Sequence, residues 1–130
     1  MRAARRWIDK RALLLLHEES LAQFGGARGL RDEGLLDSAL ARPQNILAYY
    51  PAPAIAELAA AYAWGLIRNH AFIDGNKRAA FLSIGLFLMV NNYRLTAPAH
   101  EAVHMITSMA AGQVREQDLA AWIAAHMQKN

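Results

Sequence analysis

The nine residues His70, Ala71, Phe72, Ile73, Asp74, Gly75, Asn76, Lys77 and Arg78 put a titratable base, a carboxylate, a glycine turn and two cations between two apolar helical patterns. A histidine is the side chain suited to take a proton from a hydroxyl at neutral pH, which makes His70 the candidate general base. Asp74 is placed to hold a magnesium ion through one carboxylate oxygen while phosphate oxygens complete the shell. Gly75 permits backbone angles and close approach that other residues resist. A helix starting near Asn76 would point its first N–H groups, and the positive end of its dipole, into the same space. Lys77 would add a point charge and Arg78 a bidentate grip on phosphate oxygens. Base, metal ligand, clamp and dipole together define phosphoryl or nucleotidyl transfer as the reaction class.

Singly, each of these residues has a plainer reading. Asp74 or Asn76 could cap a helix, Lys77 and Arg78 could be a solvated pair, Phe72 reads as core, and an isolated His70 could be structural. Capping accounts for one residue, however, not for a base, a carboxylate and two cations on one turn. At roughly 5% per residue type, six fixed positions would coincide by chance in such a chain with odds on the order of 10⁻⁶.

The elements that must position the motif are helical. Apolar residues at helical spacing run from about Ile8 to Phe24, Leu14 and Leu21 among them, and the Gly25, Gly26 pair supplies a stop. Asp32 is a candidate N-cap for a short helix carrying Leu35, Leu36, Ala39 and Leu40, which Pro43 is expected to end. Gln44 to Pro53 then reads as an extended loop or small hairpin. A third helix, from about Ala54 to Asn69, presents Leu58, Tyr62 and Leu66. The fourth runs from near Asn76 to about Asn91, and its apolar stretch Ala79 to Val90 suits a central buried helix but is too short to span a bilayer. Pro98 opens a fifth helix that ends at Gly112, and Leu119, Trp122, Ile123 and Met127 mark a sixth. Trp64 and Trp122, at helical spacing among apolar neighbours, read as core. The expected fold is all-α, about six helices in a single domain over residues 1–130, with the motif loop at the N-terminus of a central helix.

Composition agrees. The 130 residues, 55% hydrophobic with four prolines, are enough for one core, and the absence of cysteine removes disulfides and thiolate zinc sites. Arg2, Arg5, Arg6, Lys10 and Arg11 precede Leu13 to Leu16 in a way that imitates a signal peptide, but His17, Glu18 and Glu19 end the apolar run; no export signal is read, and a cytoplasmic location is expected. The net charge of +3 lies mostly in the first eleven residues, with no aromatic-basic motif beside it, so neither nucleic acid nor membrane is an expected partner.

The stretch His70 to Arg78 is similar to the signature of the Fic/Doc family, HxFx(D/E)GNxR. Lys77, in the variable position before the arginine, resembles the Doc (death-on-curing) branch rather than the AMP-transferring Fic branch, which usually has glycine there. Phe24 to Asn45 (FGGARGLRDEGLLDSALARPQN) is also similar to what Doc-like chains carry upstream. The resemblance implies a toxin held inactive by an antitoxin, acting as a protein kinase that transfers the γ-phosphate of ATP, with Mg2+, to a threonine of translation elongation factor Tu, and so blocking translation. It implies His70 as base, Asp74 as metal ligand, Gly75, Asn76, Lys77 and Arg78 as the phosphate-binding turn, and Gln44 to Pro53 as a flap that docks the protein target. Phe81 stands where AMP-transferring relatives repeat an arginine, and Ala71 where they often have proline. No serine or threonine stands four residues before a Glu-Gly or Glu-Asn pair, so the family's self-inhibitory motif is missing and inhibition is expected from another chain. An AMP transferase on the same scaffold, and a catalytically silent binding module, are the alternatives.

His100, Glu101 and His104 also spell H-E-x-x-H, a zinc pattern on a helix. Three fixed positions arise by chance about 1% of the time at this composition, Pro98 puts the pattern at a helix start, and no strand is read nearby to align a peptide. The pattern is expected to be irrelevant to activity, and His17 and His126 are read as surface or partly buried.

Overall fold

A computed structural model describes residues 5–130; Arg2 of the basic N-terminal cluster lies outside the described residues. The helices are α1 (Lys10–Phe24), α2 (Glu33–Tyr49), α3 (Ile55–Asn69), α4 (Asn76–Val90), α5 (Ala99–Ala110) and α6 (Glu116–Ala125), with two short strands, β1 (Tyr93–Leu95) and β2 (Met127–Lys129). The all-α architecture with the motif loop heading a central helix is thus present. No helix among the described residues is long and apolar enough to cross a membrane.

The central pair is α3 and α4. Most of α3 is alanine, glycine and leucine, and residues 58–63 are all buried, so its backbone lies close to its neighbours on several sides. In α4, Ala79, Ala80, Ser83, Ile84, Phe87 and Leu88 are fully buried, and the Ser83 hydroxyl donates back to the Ala80 carbonyl (2.6 Å). Around this pair, α2 and α6 pack on α3, α1 on α4, and α5 on both. Asp9 caps α1 by accepting from the Arg11 N–H (3.0 Å), and Asp32 caps α2 by accepting from the Leu35 N–H (3.0 Å).

Pro43 does not end a helix as its type suggests; α2 continues through it to Tyr49, and only residues 50–54 separate α2 from α3. The reason is tertiary. A Cβ at Gly65 would lie 3.2 Å from the Ala39 Cα, so α2 and α3 meet backbone to backbone one turn before the proline. There the Ala39 carbonyl, deprived of a donor by Pro43, is packed against α3. Arg42 then ties the same turn to α6 through a two-pronged pair with Glu116 (2.6 and 2.7 Å). Packing on this scale offsets the roughly 3 kcal/mol that an interior proline costs. The expected loop or hairpin over Gln44 to Pro53 is therefore helical through Tyr49, and Tyr49 and Tyr50 are exposed.

The strands pair antiparallel, Tyr93 opposite Lys129 and Leu95 opposite Met127, and fasten the end of α4 to the end of α6. Met127 thus belongs to a strand rather than to the sixth helix. Three-residue strands carry no periodicity a sequence pattern can reveal.

Candidate active site

The motif is the connection between α3 and α4. His70 caps α3 in the left-handed conformation (φ 51°, ψ 50°), and Gly75, also left-handed (φ 74°), caps the start of α4. Across the turn, Asn76 folds its amide back on the backbone: Oδ1 accepts from the Phe72 N–H (3.0 Å) and Nδ2 donates to the Phe72 carbonyl (2.9 Å). Both ends of that side chain are spent inside the loop. What Asn76 offers an anion is its own N–H, which with those of Lys77 and Arg78 has no helical acceptor.

The connector from α1 to α2 forms the loop's other support. Leu30 and Phe72 form an antiparallel bridge; the Ile73 N–H donates to the Gly29 carbonyl (3.1 Å), and the Arg31 and Asp32 N–H groups both donate to the Ala71 carbonyl (2.7 and 3.1 Å). The Ala27 N–H reaches Asp74 Oδ2 (3.1 Å), and the Gly75 N–H reaches Asp74 Oδ1 (2.8 Å). These two donors, Ala27 first, hold the exposed Asp74 carboxyl below the usual carboxylate range, so it is ionised at neutral pH. Each oxygen keeps a lone-pair direction outside those bonds, and the Asp74 carboxylate fits a magnesium ligand on that ground.

His17, read from sequence as surface or partly buried, is 3% exposed and belongs to the site's support. Its Nε2–H donates to the Asp74 carbonyl (2.9 Å) and its ring stacks on Phe72 with centroids 3.8 Å apart. The available signal was its place between Leu13 and Leu21 on the buried stripe of α1. Burial holds its imidazole below the ordinary value of 6.5, only partly opposed by the Asp74 carbonyl. Below that pH the unfolded chain binds a proton that the folded protein resists, so stability falls as pH drops. The melting temperature is expected to decline from about pH 7 towards pH 5.5, and His17→Gln, which keeps a donor for Asp74 but does not titrate, should show a shallower decline in thermal unfolding over the same range.

Arg78 leans towards α1. Its Nη1 donates to Ser20 Oγ (3.1 Å) and to the Ser20 carbonyl (3.4 Å), and its guanidinium carbon sits 4.6 Å from the Phe24 ring centroid. Phe24, expected on the apolar stripe of α1, is instead 65% exposed and serves as this platform. Nη2 and Nε of Arg78 are bonded to nothing among the described residues, and Lys77 is exposed.

All six candidate residues, His70, Asp74, Gly75, Asn76, Lys77 and Arg78, line one cleft of about 630 Å³. Its lining also includes Leu21, Ile67 and Phe81 and, from α5, the mostly apolar set Val103, Ile106, Thr107 and Ala110. His100 and His104 lie elsewhere, with His126 across from them and its Nδ1 on the Trp122 carbonyl (2.8 Å). Among the described residues no three ligating side chains gather as a metal site would require.

The Fic/DOC family model matches residues 7–88, more than half of the chain. A protein named Toxin Doc from Mycolicibacterium smegmatis is 47% identical over 75 residues, 57% of this chain. A protein named Protein kinase doc from Escherichia phage P1 is 30% identical over 115 residues, 88% of this chain. The matched stretch spans 58% of the first relative's own length and 90% of the second's.

Proposed function

The chain belongs to the Fic/DOC family, and from that premise we propose that it is the toxin of a toxin–antitoxin pair, a protein kinase that transfers the γ-phosphate of ATP to a serine or threonine hydroxyl of a translation factor, elongation factor Tu being the candidate. The observation that carries this reading is the convergence, on one cleft, of an exposed histidine, an ionised carboxylate, two cations and the free amides of a helix start.

In this reading the acceptor hydroxyl lies against His70, which takes its proton as the oxygen bonds to the γ-phosphorus and the bond to the β-phosphate oxygen breaks, ADP leaving with that electron pair. The N–H groups of Asn76, Lys77 and Arg78 and the free edge of the Arg78 guanidinium hold phosphate oxygens. Asp74 would hold a magnesium ion, whose contribution is to neutralise phosphate charge. Two features favour transfer of phosphate over transfer of AMP. Lys77 places a charged side chain at the helix start where AMP-transferring relatives have glycine. Phe81 puts an apolar ring in the cleft where those relatives carry a second arginine for the outer phosphates. The apolar wall formed by α5 would receive a helix of the antitoxin, in the helix-in-groove mode, with an acidic group facing Arg78.

The test is to incubate the protein with a bacterial lysate, magnesium, and ATP labelled on either the α- or the γ-phosphate. The expected result is γ-label, without α-label, on one main band of the size of elongation factor Tu, suppressed by the antitoxin. Label from the α-position would replace the kinase by an AMP transferase. Label from neither position, with a folded protein free of its partner, would favour a silent binding module.

A further inference from the structure

His70 is not a glycine, yet it occupies the left-handed backbone region that glycine usually fills at a helix end. Such a conformation persists only when its surroundings over-determine it. One residue outside the motif does this. Arg31 donates from Nη2 to the Asn69 carbonyl (3.0 Å), from Nε to the His70 carbonyl (2.8 Å) and from its backbone N–H to the Ala71 carbonyl (2.7 Å). Three consecutive carbonyls, the last of α3 and the two that follow, thus converge on a single arginine. Here the negative end of the helix dipole favours a cation, and helical acceptors have lost their donors. Asn69 is fixed from its other side as well, its Nδ2 donating to the Leu35 carbonyl (2.8 Å).

We propose that Arg31 is the positioning residue of the catalytic histidine: its guanidinium holds the His70 backbone in the left-handed turn that aims the imidazole into the cleft with Asp74, Lys77 and Arg78. The inference rests on the reading of His70 as the general base. Arg31 is exposed, and its side-chain hydrogen bonds go to the Asn69 and His70 carbonyls, so Arg31→Ala removes those two bonds and keeps the one from its backbone N–H to the Ala71 carbonyl. Lysine replaces it only in part, because an ammonium offers a point donor where a planar fork spans two carbonyls.

The experiment compares full-length wild type, Arg31→Ala, Arg31→Lys and His70→Ala. It measures steady-state γ-phosphate transfer, melting temperature, and the Cα and Cβ chemical shifts of His70 by NMR. For Arg31→Ala, kcat is expected to fall roughly 10- to 100-fold, the loss that misplacing a reactive group by about an ångström produces, while KM for ATP and the melting temperature stay near wild type. The His70 shifts should leave the positive-φ range, added guanidinium chloride should restore part of kcat, and Arg31→Lys should fall between. An Arg31→Ala protein that keeps wild-type kcat, or one whose His70 shifts stay in the positive-φ range, would overturn the proposal. If the wild type transfers no γ-phosphate, the kinase reading fails. The NMR comparison then still decides the role of Arg31: loss of the positive-φ shifts supports it and their retention overturns it.

Discussion

His70→Ala is expected to lower γ-phosphate transfer by about 10² to 10⁴-fold, the range that a positioned general base contributes, and to abolish growth arrest when the protein is expressed in bacteria. Its melting temperature should stay at the wild-type value. The side chain is exposed at the mouth of the cleft, and what ties this residue to the fold is its backbone: the N–H donates to the Leu66 carbonyl (3.2 Å) and the carbonyl accepts from Arg31. Alanine keeps both bonds. It fits the left-handed turn somewhat less well than histidine does, so a glycine variant serves as the control for backbone strain. Alanine and glycine should be equally inactive if the imidazole carries the chemistry. A folded His70→Ala protein that still arrests growth and still transfers phosphate would remove His70 from the mechanism.

The second large effect is on stability. Asn76→Ala should cost about 2 to 4 kcal/mol, because it strands the buried N–H and the buried carbonyl of Phe72 together, each at roughly 1 to 3 kcal/mol. In a domain of this size that corresponds to a fall of roughly 10 °C in melting temperature. A side chain whose task was to grip phosphate would behave differently: its removal would leave the melting temperature alone and weaken nucleotide binding. Thermal unfolding read beside calorimetric ATP titration separates the two, and an unchanged melting temperature with weakened binding would show that the amide turns outward when nucleotide is present.

The same residue shows where sequence reading reaches and where it stops. That Asn76 begins a helix and sits among charged groups follows from the local pattern, as do the cap at Asp32, the opening of α5 at Pro98 and the burial of α4, whereas the cap of α4, read as Asp74 or Asn76, is Gly75. Each is decided within a few residues of chain. What the Asn76 amide faces is decided by the fold of the turn, and no residue type announces it. The larger omissions are all long-range. His17 meets Asp74 across 57 positions and Arg31 meets His70 across 39; nothing in the periodicity of α1 distinguishes a histidine packed in the core from one supporting a catalytic loop. Pro43 misleads for a related reason. Its local preference is real, and contacts with α3 and α6 outweigh it.

The loop that carries the chemistry is shaped by a segment some forty residues upstream, and that has a genetic consequence. At Gly26 (φ 129°) a Cβ would lie 2.6 Å from Leu21 Cδ2 and 3.1 Å from Asp74 Oδ2, and Gly29 also has positive φ (109°). Selection for cells that survive the protein would therefore collect mutations in two separate stretches of the gene, one encoding the motif and one encoding the glycine-rich connector. The connector alleles would pass for simple folding defects on a map of the chain. In three dimensions both groups of survivors would have lost the same thing, the placement of a carboxylate and an imidazole on one turn.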